Sequence, residues 1–573
     1  MKFKVLLFAA LAVPLASPAM AAPSARAHTA VAPQLSPTAQ ARYREIFAAI
    51  HRGDWASALS LLDAMPVGPL HDVARAEIYL GKGSPYVEGA ALADLAARAP
   101  YLPHAPELIR LAKTRGVERT FAVPSQQELT WLGSAPRRAR APRSDSAISQ
   151  RMQARIQPLI KDDRPNEAEA IIIENQANLS PEILTEWQER VAWSYFITGD
   201  DAAARRLGSL ARKGVGAWAA EADWVVGLAS WREKDYATAA EAFEAAAQRH
   251  DDEDMRAAAQ FWAARCYMAL GQPQKIDAKL KSAARNPETF YGMLALKQLG
   301  INAVPAKPEG IERVERLPNV SAALALAEIG EKDLADKMIR HEARIGNPAD
   351  HAALSDLAGR LDLPSTQLWL AQYGPSGARS AVSARYPRPK SWTPEGGWRV
   401  DSSLVFAHAL QESQMRTNVV SGAGARGLMQ VRPGTAGDIA RSRGQQLGSL
   451  AVPSTNLEYG QSYIEQIRDG EATGGMLPKV IAAYNSGPTP VARWNAASRD
   501  GGDPLLYIES IPYWETRAYV TIVMRNYWMY QLQDGDDTAS RNALAQGMWP
   551  RFPGLPGAPM VRLDQVGGSA SAD

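Results

Sequence analysis

The residues best suited to chemistry follow an apolar helix in the C-terminal third of the chain. The run from Leu404 to Leu410 is apolar nearly all round, which predicts a buried helix, and Glu412 follows at its C-terminal end. Burial and the negative end of the helix dipole both raise the pKa of a carboxyl group. A carboxyl group that keeps its proton near neutral pH can act as a general acid. From this helix alone, Glu412 fits such an acid and a surface residue equally well, whereas His408 is predicted to be a core residue.

A glycine-rich segment and two further helices follow. Three glycines lie within six residues of the segment 421–430 and would let the backbone approach a bulky ligand, although plain turns have the same composition. Thr455 and Glu458 have the spacing of a capping box at a helix start. Tyr484 and Asn485 stand at a helix break. This pair could line a polar cleft, and a core tyrosine with one satisfied hydroxyl fits the spacing equally well.

The first half of the chain predicts stacked helix hairpins. Ala, Leu, Glu and Arg dominate from about residue 37 to 374, and similar stretches place an aspartate before an Ala-rich helix at Asp54, Asp200 and Asp235. Hairpins of this kind bury their apolar faces by stacking on their neighbours, as in an α-solenoid. Large aromatic residues in this region are expected to pack between repeats rather than to form a ligand platform: Trp193, Trp224, Trp231, Phe261, Trp262 and Tyr267.

The composition excludes several classes of protein. Of the 573 residues, 46% are hydrophobic and 22% are charged, which excludes a largely disordered chain. The formal net charge of +2 provides no overall field that would attract nucleic acid. Cys266 is the only cysteine, so an intramolecular disulfide and a cysteine-based zinc site are excluded.

The first 21 residues predict an export signal. Two lysines precede a short apolar run, and Ala19-Met20-Ala21 provides small residues for cleavage after Ala21. The apolar run is interrupted by Pro14 and is shorter than the roughly 20 residues that span a bilayer. Because no cysteine near the cleavage site could carry a lipid, we expect a soluble exported protein rather than a lipoprotein.

Three segments interrupt or end the helical pattern. The basic run Pro136–Arg143 predicts an exposed loop, for which solvation is the usual role and contact with an anionic polymer is the alternative. Residues 375–390 are rich in Pro, Gly and Ser and predict a linker. Residues 546–573 predict an extended tail.

The segment from about Ser391 to Gln533 resembles the catalytic domain of the soluble lytic transglycosylases, a lysozyme-like family. Phe290-Tyr291-Gly292 also resembles part of that family, and the helical region resembles its superhelical domain more loosely. Arg432 departs from the apolar residue found in many relatives. The motifs that carry the resemblance occur in the family's order: Glu412-Ser413; Gly427-Leu428-Met429-Gln430 with Pro433 and Thr435; Asn456 with Gly460 and Tyr463; Ala482-Ala483-Tyr484-Asn485 with Gly487-Pro488; and Glu509-Ser510-Ile511-Pro512 followed by Glu515-Thr516-Arg517 and Tyr519-Val520.

The resemblance, with the helical pattern, implies a mainly α fold. We expect an N-terminal α-superhelix of helix hairpins over residues 35–374, which could divide again near 120–150 and 300–310. A lysozyme-like domain would occupy residues 391–545. The superhelix would guide long glycan strands by a large, mostly neutral concave surface.

The resemblance also implies the chemistry. Lytic transglycosylases need one essential carboxyl group, since the C6 hydroxyl of the substrate replaces water, whereas ordinary glycosidases use two carboxylates. Glu412 would protonate the bridging oxygen between N-acetylmuramic acid and N-acetylglucosamine, and would then accept the C6 hydroxyl proton as the 1,6-anhydro ring closes. The resemblance carries over substrate-binding residues at Ser421, Gln430, Tyr484 and Glu515, and supporting residues at Ser413, Met429 and Asn485.

The resemblance also implies a location, a substrate and a set of partners. The protein would be a monomer in the periplasm of a Gram-negative bacterium, and would act on peptidoglycan strands with no cofactor, metal or nucleic acid. Other cell-wall enzymes are an open class of partner. A lysozyme-type hydrolase and a non-catalytic peptidoglycan-binding scaffold are the alternatives. The sequence leaves open whether the enzyme attacks chain ends or interiors.

Overall fold

The computed structural model describes residues 33–305, 310–536 and 538–563. The expected signal peptide and the last ten residues of the expected tail lie outside the described residues. The described chain is mainly helical, as predicted, with only short strands. None of its helices combines the length and the apolar character needed to span a bilayer.

The first helices of the chain pack against helices that follow much later. The first three early helices share a hydrophobic core with the later group, whereas the fourth and fifth form a smaller core with the third. An antiparallel pair of strands, β1 (Leu129–Trp131) and β2 (Tyr373–Pro375), joins the same parts of the chain. The early helices are α1 (Pro37–Arg52), α2 (Trp55–Asp63), α3 (His71–Leu80), α4 (Gly89–Arg98) and α5 (Ala105–Thr114), and the later ones are α15 (Ile311–Val314), α16 (Pro318–Ile329), α17 (Lys332–Ile345), α18 (His351–Arg360) and α19 (Pro364–Gln372).

Between these groups, helix hairpins stack as the sequence predicted. The side chains of Asp54, Asp200 and Asp235 each accept a hydrogen bond from the amide three residues later, which confirms the three expected caps. Trp224 packs edge-on against Phe243 and Trp262, which confirms the packing role of Trp224 and Trp262. The helices are α6 (Ala147–Lys161), α7 (Pro165–Asn175), α8 (Pro181–Thr198), α9 (Asp201–Ala211), α10 (Ala217–Arg232), α11 (Tyr236–Arg249), α12 (Glu253–Ala269), α13 (Pro273–Ala284) and α14 (Phe290–Gln298).

The C-terminal helices share one continuous core with α6–α14. The ring of Phe290 stacks on Trp528 with centroids 5.1 Å apart, and the Tyr291 hydroxyl donates a hydrogen bond to the buried Glu509 at 2.7 Å. These contacts give the Phe290-Tyr291-Gly292 segment a structural role. The helices are α20 (Ser402–Ser413), α21 (Pro433–Ser442), α22 (Pro453–Arg468), α23 (Leu477–Ser486), α24 (Pro488–Ala497), α25 (Pro504–Glu509), α26 (Trp514–Asp534) and α27 (Ala539–Ala545).

The basic loop Pro136–Arg143 differs in part from its prediction. Arg140 and Arg143 are exposed, as expected. The Arg138 side chain is only 7% exposed and forms ion pairs with Asp254 on α12 at 3.3 Å and with Glu509 on α25 at 2.8 Å. The loop therefore joins the hairpin stack to the C-terminal helices. The Arg138 guanidinium pairs with one buried carboxylate from each, and a buried carboxylate without a cation would be costly.

Two other segments pack more closely than their compositions suggest. Within the expected linker, Tyr386 is buried, and its hydroxyl donates to Glu288 at 2.9 Å. Within the expected tail, β3 (Trp549–Pro550) pairs with β4 (Met560–Val561), and Trp549 and Phe552 are buried. The described part of the tail is therefore packed against the core rather than extended, because Trp549 and Phe552 are buried there.

Candidate functional site

Glu412 lies in the last turn of α20, where the chain makes a sharp turn. Every side chain from Leu404 to Leu410 is buried, so the helix is enclosed on all sides, as predicted. Gln414 and Met415 follow with φ angles of 53° and 60°. Two consecutive non-glycine residues in the left-handed region are strained, and strain of this kind concentrates at functional sites.

Burial raises the pKa of Glu412 to about 7. The Tyr519 hydroxyl donates a hydrogen bond to Glu412 Oε1 at 2.6 Å, which lowers the pKa, and the negative charge of Glu515 raises it. Burial is the largest of these effects. Near neutral pH the carboxyl group can therefore hold a proton and, once ionised, accept one.

Tyr519 and His408 form a hydrogen-bonded chain that ends at Glu412. His408 is fully buried, and burial lowers its pKa to about 3, so the imidazole is neutral. Its Nδ1 lies 2.8 Å from the Tyr519 oxygen. Since Tyr519 donates its proton to Glu412, Nδ1–H of His408 donates to Tyr519. His408 is thus a core residue, as predicted, while Tyr519, to which the sequence analysis assigned no role, holds the Glu412 carboxyl group by a hydrogen bond.

Ser421 and Gln430 stabilise a compact loop between α20 and α21. The Ser421 hydroxyl oxygen accepts a hydrogen bond from the Ala425 amide at 3.0 Å. The Gln430 side-chain amide donates to the Gly427 carbonyl at 2.8 Å, and Gln430 has a φ of 48°. Their predicted contacts with sugar stay a prediction, since both side chains here bind the loop itself.

This loop is fixed against α22 by a close backbone contact. The Met429 amide donates to Asn456 Oδ1 at 2.8 Å. A Cβ on Gly460 would lie 2.1 Å from the Met429 sulfur, so a larger residue here would force the buried Met429 side chain to move. Gly427 has a φ of 74° and equally little room for a side chain. The spacing of these motif residues therefore reflects the docking of the loop on the helix.

Tyr484 connects this loop to the acid. Its hydroxyl donates to the Met429 carbonyl at 2.7 Å, and its ring centroid lies 4.5 Å from that of His408. The charge of Glu412 contributes to raising the Tyr484 pKa, which places the two side chains within electrostatic range. Tyr484 and Glu515 thus both lie within electrostatic range of Glu412, and their predicted contacts with substrate stay a prediction.

The other supporting residues make structural contacts. Asn485 Oδ1 accepts a hydrogen bond from Thr516 at 2.6 Å, which joins α23 to α26. The Ser413 hydroxyl donates to the Ala409 carbonyl of its own helix at 3.0 Å. Within residues 33–305, 310–536 and 538–563, no group of three or more His, Cys, Asp or Glu side chains is arranged to hold a metal ion.

Comparison with known proteins finds a family that is similar to the segment carrying Glu412. Residues 393–505 match the family described as "Transglycosylase SLT domain". This segment, which carries Glu412, is similar to the SLT domain. Two curated relatives named "Soluble lytic murein transglycosylase" are similar to it: the Escherichia coli K12 protein, 34% identical over 155 residues, and the Salmonella typhimurium protein, 37% identical over 153 residues.

These matches are local, whereas the likeness of fold is extensive. The aligned segment covers 26% of this chain, 24% of the E. coli relative and 22% of the Salmonella relative, so it spans about a quarter of the relatives' length. A solved complex of the 70-kDa soluble lytic transglycosylase with bulgecin A is 18% identical, with a TM-score of 0.53. The structural alignment covers 90% of this chain and 89% of the solved chain. That likeness supports the predicted fold of a superhelix with an SLT domain.

Proposed function

We propose that the protein is a lytic transglycosylase that cleaves the β-1,4 bond between N-acetylmuramic acid and N-acetylglucosamine in peptidoglycan. The observation that carries the proposal is the raised pKa, near 7, of the Glu412 carboxyl group at the end of a buried helix, within the segment that matches the SLT domain. We also propose that it acts in the periplasm during turnover or remodelling of the cell wall. The names of the relatives support murein as the substrate.

Glu412 would act first as an acid and then as a base. Its proton passes to the bridging oxygen as the bond between that oxygen and C1 of N-acetylmuramic acid breaks. The neighbouring acetamide would stabilise the charge that develops at C1. The C6 hydroxyl oxygen then bonds to C1 and returns its proton to Glu412, so no water is consumed. Tyr519 would orient the carboxyl group, and neutral His408 would orient Tyr519.

The reaction can be tested through its product ends. Purified protein incubated with sacculi should release muropeptides with 1,6-anhydro ends, each one water lighter than the corresponding lysozyme product. A chelator should not change the yield. Released fragments with mainly reducing ends would contradict the proposal.

A lysozyme-type hydrolase is the second candidate, and the position of Glu515 favours it. The charge of Glu515 acts on Glu412, so a second carboxylate lies within electrostatic range of the acid. In a hydrolase, that carboxylate would activate water or act as a nucleophile. The end-group analysis separates the two candidates.

The pH dependence should follow the protonated form of Glu412. We expect kcat/KM to fall as the pH rises through about 7, because the acid then loses its proton. In Tyr519→Phe, the hydrogen bond that lowers the pKa is lost, so this fall should move to higher pH. In Glu515→Gln, the charge that raises the pKa is lost, so it should move to lower pH. Rates of muropeptide release between pH 5 and 9 would measure both shifts.

Tyr527→Phe is the matched control for these variants. Tyr527 lies two turns further along α26, and its hydroxyl donates to Asp401 at 2.7 Å rather than to Glu412. Its pH profile should match that of the parent. Equal shifts in Tyr519→Phe and Tyr527→Phe, or a parent rate that rises through pH 7, would contradict the assigned acid.

A further inference from the structure

A small cavity lies beside the last turn of α20, where several parts of the chain meet. Leu410 and Gln414, which flank Glu412 in the sequence, line this cavity, whereas Glu412 does not. The rest of its wall comes from the segment 131–137, α19, Arg385 and α26. Its volume is about 100 Å³, roughly the share of three water molecules in the liquid. A space of this size suits an inorganic ion rather than a sugar or a peptide.

Three arginines line the cavity. They are Arg137, Arg385 and Arg525, and among the described residues no Asp or Glu lines it with them. Three side-chain amides and one serine hydroxyl complete the polar part of the wall. A guanidinium group presents its N–H donors in a planar fork that matches the oxygens of an anion. The wall therefore has the chemistry of an anion-binding site.

Arg525 is buried, yet it forms no ion pair with any residue that the structure describes. The residue is only 3% exposed. Its Nη1 donates to the Pro136 carbonyl, and its Nε and Nη2 donate to Asn526 Oδ1 at 3.3 Å and 2.8 Å. These acceptors are neutral, so the positive charge is not compensated. A charge in this state is costly in a protein interior.

Two carboxylates within electrostatic range of Arg525 are already bound to other arginines. Burial raises the pKa of Asp254, and the charges of Arg138 and Arg525 lower it. Asp254 is paired with Arg138 at 3.3 Å. The charges of Arg525 and Glu288 both act on one buried tyrosine, and Glu288 is paired with Arg385 at 2.5 Å. The charge of Arg525 therefore needs a partner that the neighbouring carboxylates do not supply.

Arg137 brings a second unpaired charge to the same cavity. Its Nη2 donates to Gln411 Oε1 at 3.2 Å, and within residues 33–305, 310–536 and 538–563 it forms no ion pair. Partial burial lowers the pKa of Arg137, and the positive charge of Arg525 lowers it further. The two guanidinium groups thus repel one another, and an anion between them would offset both charges. Arg137 also reaches solvent, which gives such an ion a way in.

We propose that this cavity binds a small tetrahedral oxyanion, phosphate or sulfate, between Arg137 and Arg525. Four oxygens let such an ion accept hydrogen bonds from both guanidinium forks at once, whereas a spherical halide has no separate oxygens for the two forks. The ion would connect the segment 131–137 with α26 and, through Gln414, with the strained turn after Glu412. It would thereby stabilise the position of the candidate acid, whichever bond the protein cleaves.

Calorimetry with sodium phosphate and sodium sulfate tests the site in the full-length protein. At constant ionic strength the parent should bind at least one of the two, and the tighter ligand identifies the ion. Arg137→Gln should bind it at least about tenfold more weakly, because a charge-assisted hydrogen bond is lost. Because Arg137 is exposed, this variant should fold. Arg137→Lys should recover part of the affinity, since it keeps the charge and loses only the fork.

Arg140→Gln is the matched control, because Arg140 is exposed in the same loop and does not line this cavity. It should bind the oxyanion like the parent. Thermal unfolding gives a second readout, since a ligand of the folded state raises Tm. The oxyanion should raise the Tm of the parent and of Arg140→Gln by the same amount, and that of Arg137→Gln by less.

Four results would overturn the inference. They are no binding by the parent, chloride binding as tight as that of the oxyanion, parent-like binding by Arg137→Gln, and an equal loss of binding in Arg137→Gln and Arg140→Gln. The last result would place the ion on the surface of the basic loop rather than in the cavity. The yield of 1,6-anhydro ends decides the proposed function separately, so failure of either proposal leaves the other to its own measurement.

Discussion

Glu412→Gln should release muropeptides at least about a hundredfold more slowly than the parent, because the variant has no proton to transfer. The substitution keeps the size and polarity of the side chain, and Tyr519 can still donate its hydrogen bond. Release from sacculi under initial-rate conditions would measure the effect. Glu471→Gln removes an exposed carboxylate from the same domain and should keep the parent rate.

Folding of the Glu412→Gln variant should be intact, and its stability has a predictable pH dependence. The folded-state pKa of Glu412 lies above the ordinary value of 4.5, so the folded protein retains a proton that the unfolded chain releases. The parent therefore loses stability as the pH rises from about 4.5 through about 7, and the variant does not. Thermal unfolding at pH 8 should give the variant a Tm at least equal to that of the parent. A near-normal rate in a folded variant would remove Glu412 from the mechanism.

The largest stability effect is expected at Arg138. Replacing it with Gln leaves Glu509 and Asp254 buried beside an unpaired site, and breaking a buried ion pair costs about 3–5 kcal/mol. Urea unfolding followed by tryptophan fluorescence would measure the loss. Arg140→Gln, in the same loop but exposed, should change the free energy of unfolding by less than about 0.5 kcal/mol.

A double-mutant cycle identifies the cause of this loss. If the uncompensated carboxylate is responsible, Glu509→Gln should restore part of the stability in the Arg138→Gln background. Additive losses in the double variant would show that Arg138 and Glu509 do not stabilise one another, and would contradict the role given to the loop.

The sequence predicted those features that depend on local pattern. Asp200 and Asp235 cap their helices because a cap needs only an aspartate and an amide three residues later. The apolar run before Glu412 predicted a buried helix because no polar face was available. The buried setting of the acid could therefore be expected before the fold was known.

Features that depend on distant partners could not be predicted in this way. Arg138 pairs with residues 116 and 371 positions away, so its loop looked simply solvated in the sequence. The capping box at Thr455 and Glu458 was wrong for a similar reason. The helix begins at Pro453, and Glu458 forms an ion pair with Arg399 at 2.9 Å rather than capping the helix start. Glu458 therefore pairs with Arg399, which the fold brings close to it, and not with the helix start that its spacing in the sequence suggested.

Tyr519 illustrates the same limit within the site. Its hydroxyl touches Glu412, which lies 107 positions earlier in the chain. The sequence offered one indication of this contact: Tyr519 lies four residues after Glu515 on one helix, so both side chains share a face. Two ordinary core residues have the same spacing. Only the folded chain distinguishes the two.

The most direct test of a lytic transglycosylase is digestion of sacculi in ¹⁸O-labelled water by the full-length protein. Closure of the 1,6-anhydro ring consumes no water, so mass spectrometry should find muropeptides one water lighter than hydrolysis products and free of ¹⁸O at the new end. A lysozyme digest in the same water supplies the labelled reference. Incorporation of one ¹⁸O atom at most new ends would show that water is the nucleophile, and would contradict the mechanism proposed for Glu412.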